Sequence, residues 1–133
     1  MAVTLVKPGD LYQMAPYAYA AVGTAGRPVF TAGACPLDAA GVVVSPGDIP
    51  AQTQKACENL RAALAACGCG LGDVLKTTIY VVAADRNDLI EAWRVVEDFF
   101  QDHPAPSTLL GVNWLGYQGQ LVEIEAVALQ PSP

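Results

Sequence analysis

"QLVEIEAVALQ", residues 120–130, decides the fold. Side chains of a β-strand point alternately to opposite faces, so Val122, Ile124, Ala126 and Ala128 form one wholly apolar side. Glu123, Glu125, Val127 and Leu129 form the other, with the two carboxylates roughly 7 Å apart. The apolar side calls for a covering layer. The acidic side calls for solvent, a cation such as Lys76 on a neighbouring strand, or chemistry.

The rest of the chain supplies the cover. In "IPAQTQKACENLRAALAACG" the residues Cys57, Leu60, Leu64 and Cys67 recur at three- and four-residue steps. This predicts a helix from about Pro50 to Cys67, opened by a proline that needs no partner for an N–H and stopped at Gly68. A second helix is predicted after Asp85, a natural N-cap, ending by His103 with the stripe Leu89, Trp93, Val96 and Phe100. "DVLKTTIYVV" reads as a strand over Val74–Val82, and "STLLGVNWL" and "LVEIEAVAL" as two more around the loop "GYQG". Upstream, Tyr17–Val22 and Pro28–Ala32 read as short strands joined by a glycine-rich turn that suits a hairpin, with a further apolar run after Gly41. Two helices for about six strands cover one sheet face only, which defines an α+β sandwich in one domain, 1–133.

Composition sharpens this. The chain has 133 residues, 53% of them hydrophobic and 15% charged, against roughly 25% charged in an ordinary soluble domain. Such an apolar chain is expected to self-associate over its uncovered sheet face. The net charge is −6, and no two of the seven Lys and Arg residues are adjacent. That excludes the basic cluster a nucleic-acid partner needs. The first residues, "MAVTLVKPGD", lack a signal-peptide core, and no apolar run reaches the ~18 residues that span a bilayer. A cytoplasmic protein with reduced cysteines and no membrane partner is the expectation.

Few residue groups are fit for catalysis. The four cysteines do not form the paired spacing of a zinc site, so no metal is expected. Cys35, in the turn "AGACPLD", reads as cleft-lining. His103 is the single histidine and is explained by its place at a helix end. "GTAG", "CGCG" and "GYQG" follow no phosphate-loop spacing and read as turns.

Taken together, "APYAYAA", "VFTAGACPLD", "QTQKACENLRAAL", "GDVLKTTIYV", "PAPSTLLGV" and "LVEIEAVAL" resemble the Rid family, the YjgF/RidA-like reactive-intermediate deaminases also labelled endoribonuclease L-PSP. The resemblance runs from about Tyr17 to Leu129. It implies a chorismate-mutase-like (YjgF-like) fold, a mixed sheet with two helices on one face, and a homotrimer built around a central barrel with clefts between subunits. It further implies a small-molecule substrate, hydrolysis of a reactive imine or enamine, and no cofactor. In that pattern Glu123 is the catalytic acid that holds or activates water. The substrate-binding set is Tyr17, Gly33, Ala34, Cys35, Ser107 and Thr108, joined by the loop aromatics Trp114 and Tyr117. The resemblance also exposes a departure: deaminating members read Pro-Ala-Arg where this chain reads Pro104-Ala105-Pro106. The missing arginine grips a substrate carboxylate with two parallel hydrogen bonds. A non-catalytic binding trimer with the same cleft is the alternative, and an RNA-cleaving protein a third.

Overall fold

The computed structural model describes residues 2–132. In chain order the elements are β1 (Val3–Val6), β2 (Ala20–Gly23), β3 (Gly26–Phe30), α1 (Ile49–Ala66), a 3₁₀ turn (Leu71–Asp73), β4 (Val74–Val81), α2 (Arg86–Phe99), β5 (Ser107–Gly111) and β6 (Val122–Pro131). The six strands form two hydrogen-bonded groups, β1–β2 and the mixed sheet β3–β6–β4–β5, in which only β4 and β5 run parallel. No helix among the described residues is long and apolar enough to cross a membrane.

The opening stretch behaves as its alternation requires. Val122, Ile124, Ala126 and Ala128 are buried, packed with Ile79 and Val81 of β4 beneath Cys57, Leu60 and Leu64 of α1 and Ala92 and Val96 of α2. Asp48 caps α1 by accepting the Ala51 N–H at 3.0 Å, and Gly68 ends it with φ of +73°. Asp85 caps α2 in the same way, through the Asp88 N–H at 3.3 Å.

The predicted hairpin between Tyr17–Val22 and Pro28–Ala32 does not form. The first of these strands is Ala20–Gly23 and pairs with β1, which sequence reading left unassigned, while β3 pairs with β6. Gly26 explains the divergence: a Cβ there would sit 2.4 Å from the Gln130 carbonyl oxygen. Only a glycine lets β3 begin hard against the end of β6. The apolar run after Gly41 contributes one isolated bridge, Leu37 to Val43, and "STLLGVNWL" is extended only through Gly111.

The sheet face away from the helices carries Lys76 and Tyr80 of β4, Thr108 and Leu110 of β5, Glu123 and Glu125 of β6, and Phe30 of β3. Phe30 is 75% and Leu110 43% exposed, so this face is apolar at both edges and polar in the middle. Lys76 does not pair with a glutamate there. Its ammonium donates to the Thr108 hydroxyl at 2.5 Å, and Glu125 instead accepts from the Tyr80 phenol. That hydrogen bond holds Tyr80 protonated above its ordinary range, with burial adding to the effect.

Candidate functional site

Glu123 lies at the start of β6, where the neighbouring chain segment bulges. Beyond β3 the backbone stays beside β6: Phe30 faces Val127, and Ala34 faces Ile124 through hydrogen bonds of 2.7 and 3.1 Å. Four residues on one side thus match three on the other, the signature of a β-bulge. Thr31 repairs the ladder by accepting the Ala126 N–H on its hydroxyl at 3.0 Å. The bulge aims Gly33 at Glu123 so closely that a Cβ would fall 2.1 Å from Oε2.

Two donors meet the other carboxylate oxygen. Cys35 Sγ lies 3.3 Å and Gln120 Nε2 3.1 Å from Glu123 Oε1. No donor among the described residues reaches Oε2. Nor does any fully buried side-chain oxygen or nitrogen among them lack a partner, so Oε2 is unpaired and not fully buried. The Cys35 thiol is pushed up to about 11, first by burial and then by the hydrogen bond and charge of Glu123. It is therefore a proton-bearing donor at neutral pH and a poor nucleophile.

A cleft of about 530 Å³ has walls that include Gly33, Ala34, Cys35, Lys55, Asn59 and Tyr117; Glu123 does not itself line it and adjoins it through Gly33 and Cys35. Asn59 ties the cleft's turn to α1 by donating to the carbonyls of Cys35 and Leu37 at 2.8 and 2.9 Å. Gln52, fully buried on the same helix, accepts the Leu121 N–H at 2.8 Å and donates to the Gly119 carbonyl at 3.1 Å. It thus anchors the chain just before Glu123. Gln52, Asn59 and Gln120 escaped sequence reasoning. Their one signal was uncharged polar side chains in stretches where helix periodicity or strand alternation called for something else.

The remaining predicted residues gather elsewhere. Tyr17 and Ser107 line a second cavity of about 400 Å³ with Pro16, Trp93 and Leu109. Tyr17 meets Trp93 edge-on at 6.2 Å. The Ser107 hydroxyl is occupied by Thr77 Oγ1 at 2.7 Å and the Ala105 carbonyl at 2.9 Å. Thr108 is held by Lys76. Trp114 is 84% exposed and lines neither cavity. Strand β4 separates β6 from β5, so Glu123 and Thr108 stand two strand spacings, about 10 Å, apart across the sheet, before their offset along it. Within one chain, Gly33 and Cys35 gather around Glu123, Tyr17 and Ser107 share the second cavity, and Thr108, on the opposite sheet face from Ser107, joins neither group. Pro106 has a buried ring, and its carbonyl accepts the Thr77 N–H at 2.9 Å. Among the described residues no group of three or more His, Cys, Asp and Glu side chains is placed to hold a metal ion.

This architecture has known counterparts. Residues 10–130 match the family described as Endoribonuclease L-PSP. The chain belongs to that family, which includes the Rid and RutC proteins. It is 34% identical to protein DfrA of Myxococcus xanthus over 114 residues, 86% of this chain and 85% of that protein. It is 33% identical to the 2-iminobutanoate/2-iminopropanoate deaminase of Mus musculus over 104 residues, 78% of this chain and 75% of that one. The crystal structure of YyfB from Yersinia pestis, a Rid-family protein, superposes with a TM-score of 0.90 at 30% identity, covering 97% of this chain and 99% of that chain.

Proposed function

We propose that the chain is a Rid-type hydrolase that converts a small imine or enamine into its carbonyl compound and ammonia. Water adds across the C=N bond, its proton passing by way of Glu123 to the nitrogen; the resulting carbinolamine then expels ammonia. An enamine first tautomerises to the imine, gaining a proton on carbon and losing one from nitrogen. The balance is one water in and one ammonia out, with no redox partner. The observation that carries this reading is the Glu123 carboxylate, with one oxygen occupied by two donors and the other unpaired and not fully buried, next to cleft residues Gly33 and Cys35. The deaminase name of the mouse relative supports the reaction class.

The separation of Tyr17, Ser107 and Thr108 from Glu123 within one chain favours assembly. A homotrimer that sets the β5 edge of one copy, with Thr108, against the Gly33–Glu123 end of the next would complete the cleft and cover Phe30 and Leu110. Sedimentation equilibrium is expected to return three chains per particle; a monomer at micromolar concentration would refute the shared cleft.

The substrate we infer is neutral or more apolar than an amino-acid imine. Pro106 offers no charge where the resemblance implies an arginine. Lys55 is the cation lining the cleft among the described residues. Its ammonium, on a flexible stem, is no planar two-pronged clamp. Ammonia release from 2-iminobutanoate is expected to be slower than from an imine lacking a carboxylate. Equal rates for the two imines in the unmodified protein would overturn this substrate assignment.

A further inference from the structure

We propose that Gln120 and Cys35 are positioning residues that hold Glu123 by Oε1 alone and so commit Oε2 to the reacting molecule. This rests on the reading of Glu123 as the group that handles water, and it assigns work to two side chains that the reaction itself does not require.

Gln120 is 3% exposed, and both ends of its amide are committed. Nε2 donates to Glu123 Oε1 and to the Val122 carbonyl, each at 3.1 Å, while its own Oε1 accepts the Tyr117 N–H at 3.1 Å. Turning the amide over would set its oxygen against two acceptors and its NH₂ against a donor, so the orientation has one satisfied choice. The same amide couples the loop that brings Tyr117 to the cleft with the carboxylate beside it.

Cys35 is held as firmly. Asn59 pins its carbonyl at 2.8 Å, and its thiol reaches Glu123 at 3.3 Å. A thiol donates only while it keeps its proton, and burial together with the Glu123 charge makes Cys35 keep it through neutral pH. On the opposite side Gly33 closes against Oε2, leaving the carboxylate little room to rotate. Two donors on one oxygen and backbone against the other fix which lone pairs face outward. Serine at position 35 preserves a donor; alanine does not. Leucine at position 120 keeps the approximate bulk and removes the amide.

Two measurements decide it. The first needs no substrate: the rate at which iodoacetamide modifies Cys35, followed peptide by peptide at about pH 8, just below the ordinary thiol pKa of ~8.5. Glu123→Gln is expected to speed modification about 3- to 10-fold, the effect of half a pKa unit to one unit on the thiolate fraction. Glu125→Gln, whose carboxylate is engaged with Tyr80, is expected to leave the rate unchanged. Equal rates in the unmodified protein and Glu123→Gln would overturn the thiol–carboxylate contact.

The second is turnover of an imine. Cys35→Ala and Gln120→Leu are expected to lower kcat about tenfold with little change in KM, and Cys35→Ser to recover most of it. Equal loss in the serine and alanine variants, with unfolding midpoints unchanged, would overturn the positioning role. If the unmodified protein turns over no imine, the proposed reaction fails, and the alkylation comparison alone decides whether Glu123 is held in this way.

Discussion

Glu123→Gln is expected to lower kcat/KM for imine hydrolysis about 10²- to 10⁴-fold, the span of a lost general base, while the unfolding midpoint moves little. The amide is nearly isosteric with the carboxylate and keeps an oxygen for the Cys35 and Gln120 donors, so the packing against Gly33 survives. What it loses is the capacity of the outward atom to take a proton. The residue lies half-buried on a sheet that has its core on the other face, so the hydrophobic layer of Val122 and Ile124 is untouched. Ammonia release under saturating imine and thermal unfolding of the same preparation separate the two effects. Full turnover by the glutamine variant would remove Glu123 from the mechanism.

Gly33→Ala is expected to be the most damaging single-methyl change near the site. The added Cβ would fall 2.1 Å from Glu123 Oε2 and 2.4 Å from its carboxyl carbon, distances at which one partner must move. If the carboxylate swings away, it leaves Cys35 and Gln120, and the buried Gln120 amide loses a charged acceptor. If the backbone moves instead, the Ala34–Ile124 bridge opens. Either route costs about 1–3 kcal/mol of stability by overpacking, and turnover falls to near that of Glu123→Gln. The clash predicts its own relief. In Gly33→Ala combined with Glu123→Ala the stability loss should be smaller than the sum of the two single changes, because the colliding atoms are gone. Strict additivity in urea unfolding would show that the glycine serves something other than the approach of this carboxylate.

Local rules written into the chain settled much of this protein. Alternation in "VEIEAVAL" defined which face of β6 is core and which carries acids, and that division holds from Val122 to Ala128, whereas Leu129, on the acid side, is buried too. The three- and four-residue spacing of Cys57, Leu60 and Leu64 set the buried side of α1, while Asp48 and Gly68 mark its ends as capping chemistry demands. These features depend on neighbours within one or two turns of helix, or on strict period two, and so can be read from order alone.

Strand partners and the site could not. The glycine-rich turn after Val22 looked like a hairpin, yet β2 joins β1 and β3 joins β6, a strand about a hundred residues downstream. Turn propensity says that the chain reverses, not which strand receives it. The candidate site is non-local as well. Cys35 meets Glu123 across 88 residues, Gln52 holds Leu121 across 69, and Asn59 reaches back 24 to Cys35, contacts with no local periodicity to betray them. The sequence by itself determined that an acid stands on the uncovered face of this sheet. Only the tertiary structure decided that one of its oxygens is tied down and the other unpaired, because the donors arrive from a bulge and a loop that only the packed sheet and helix α1 bring together.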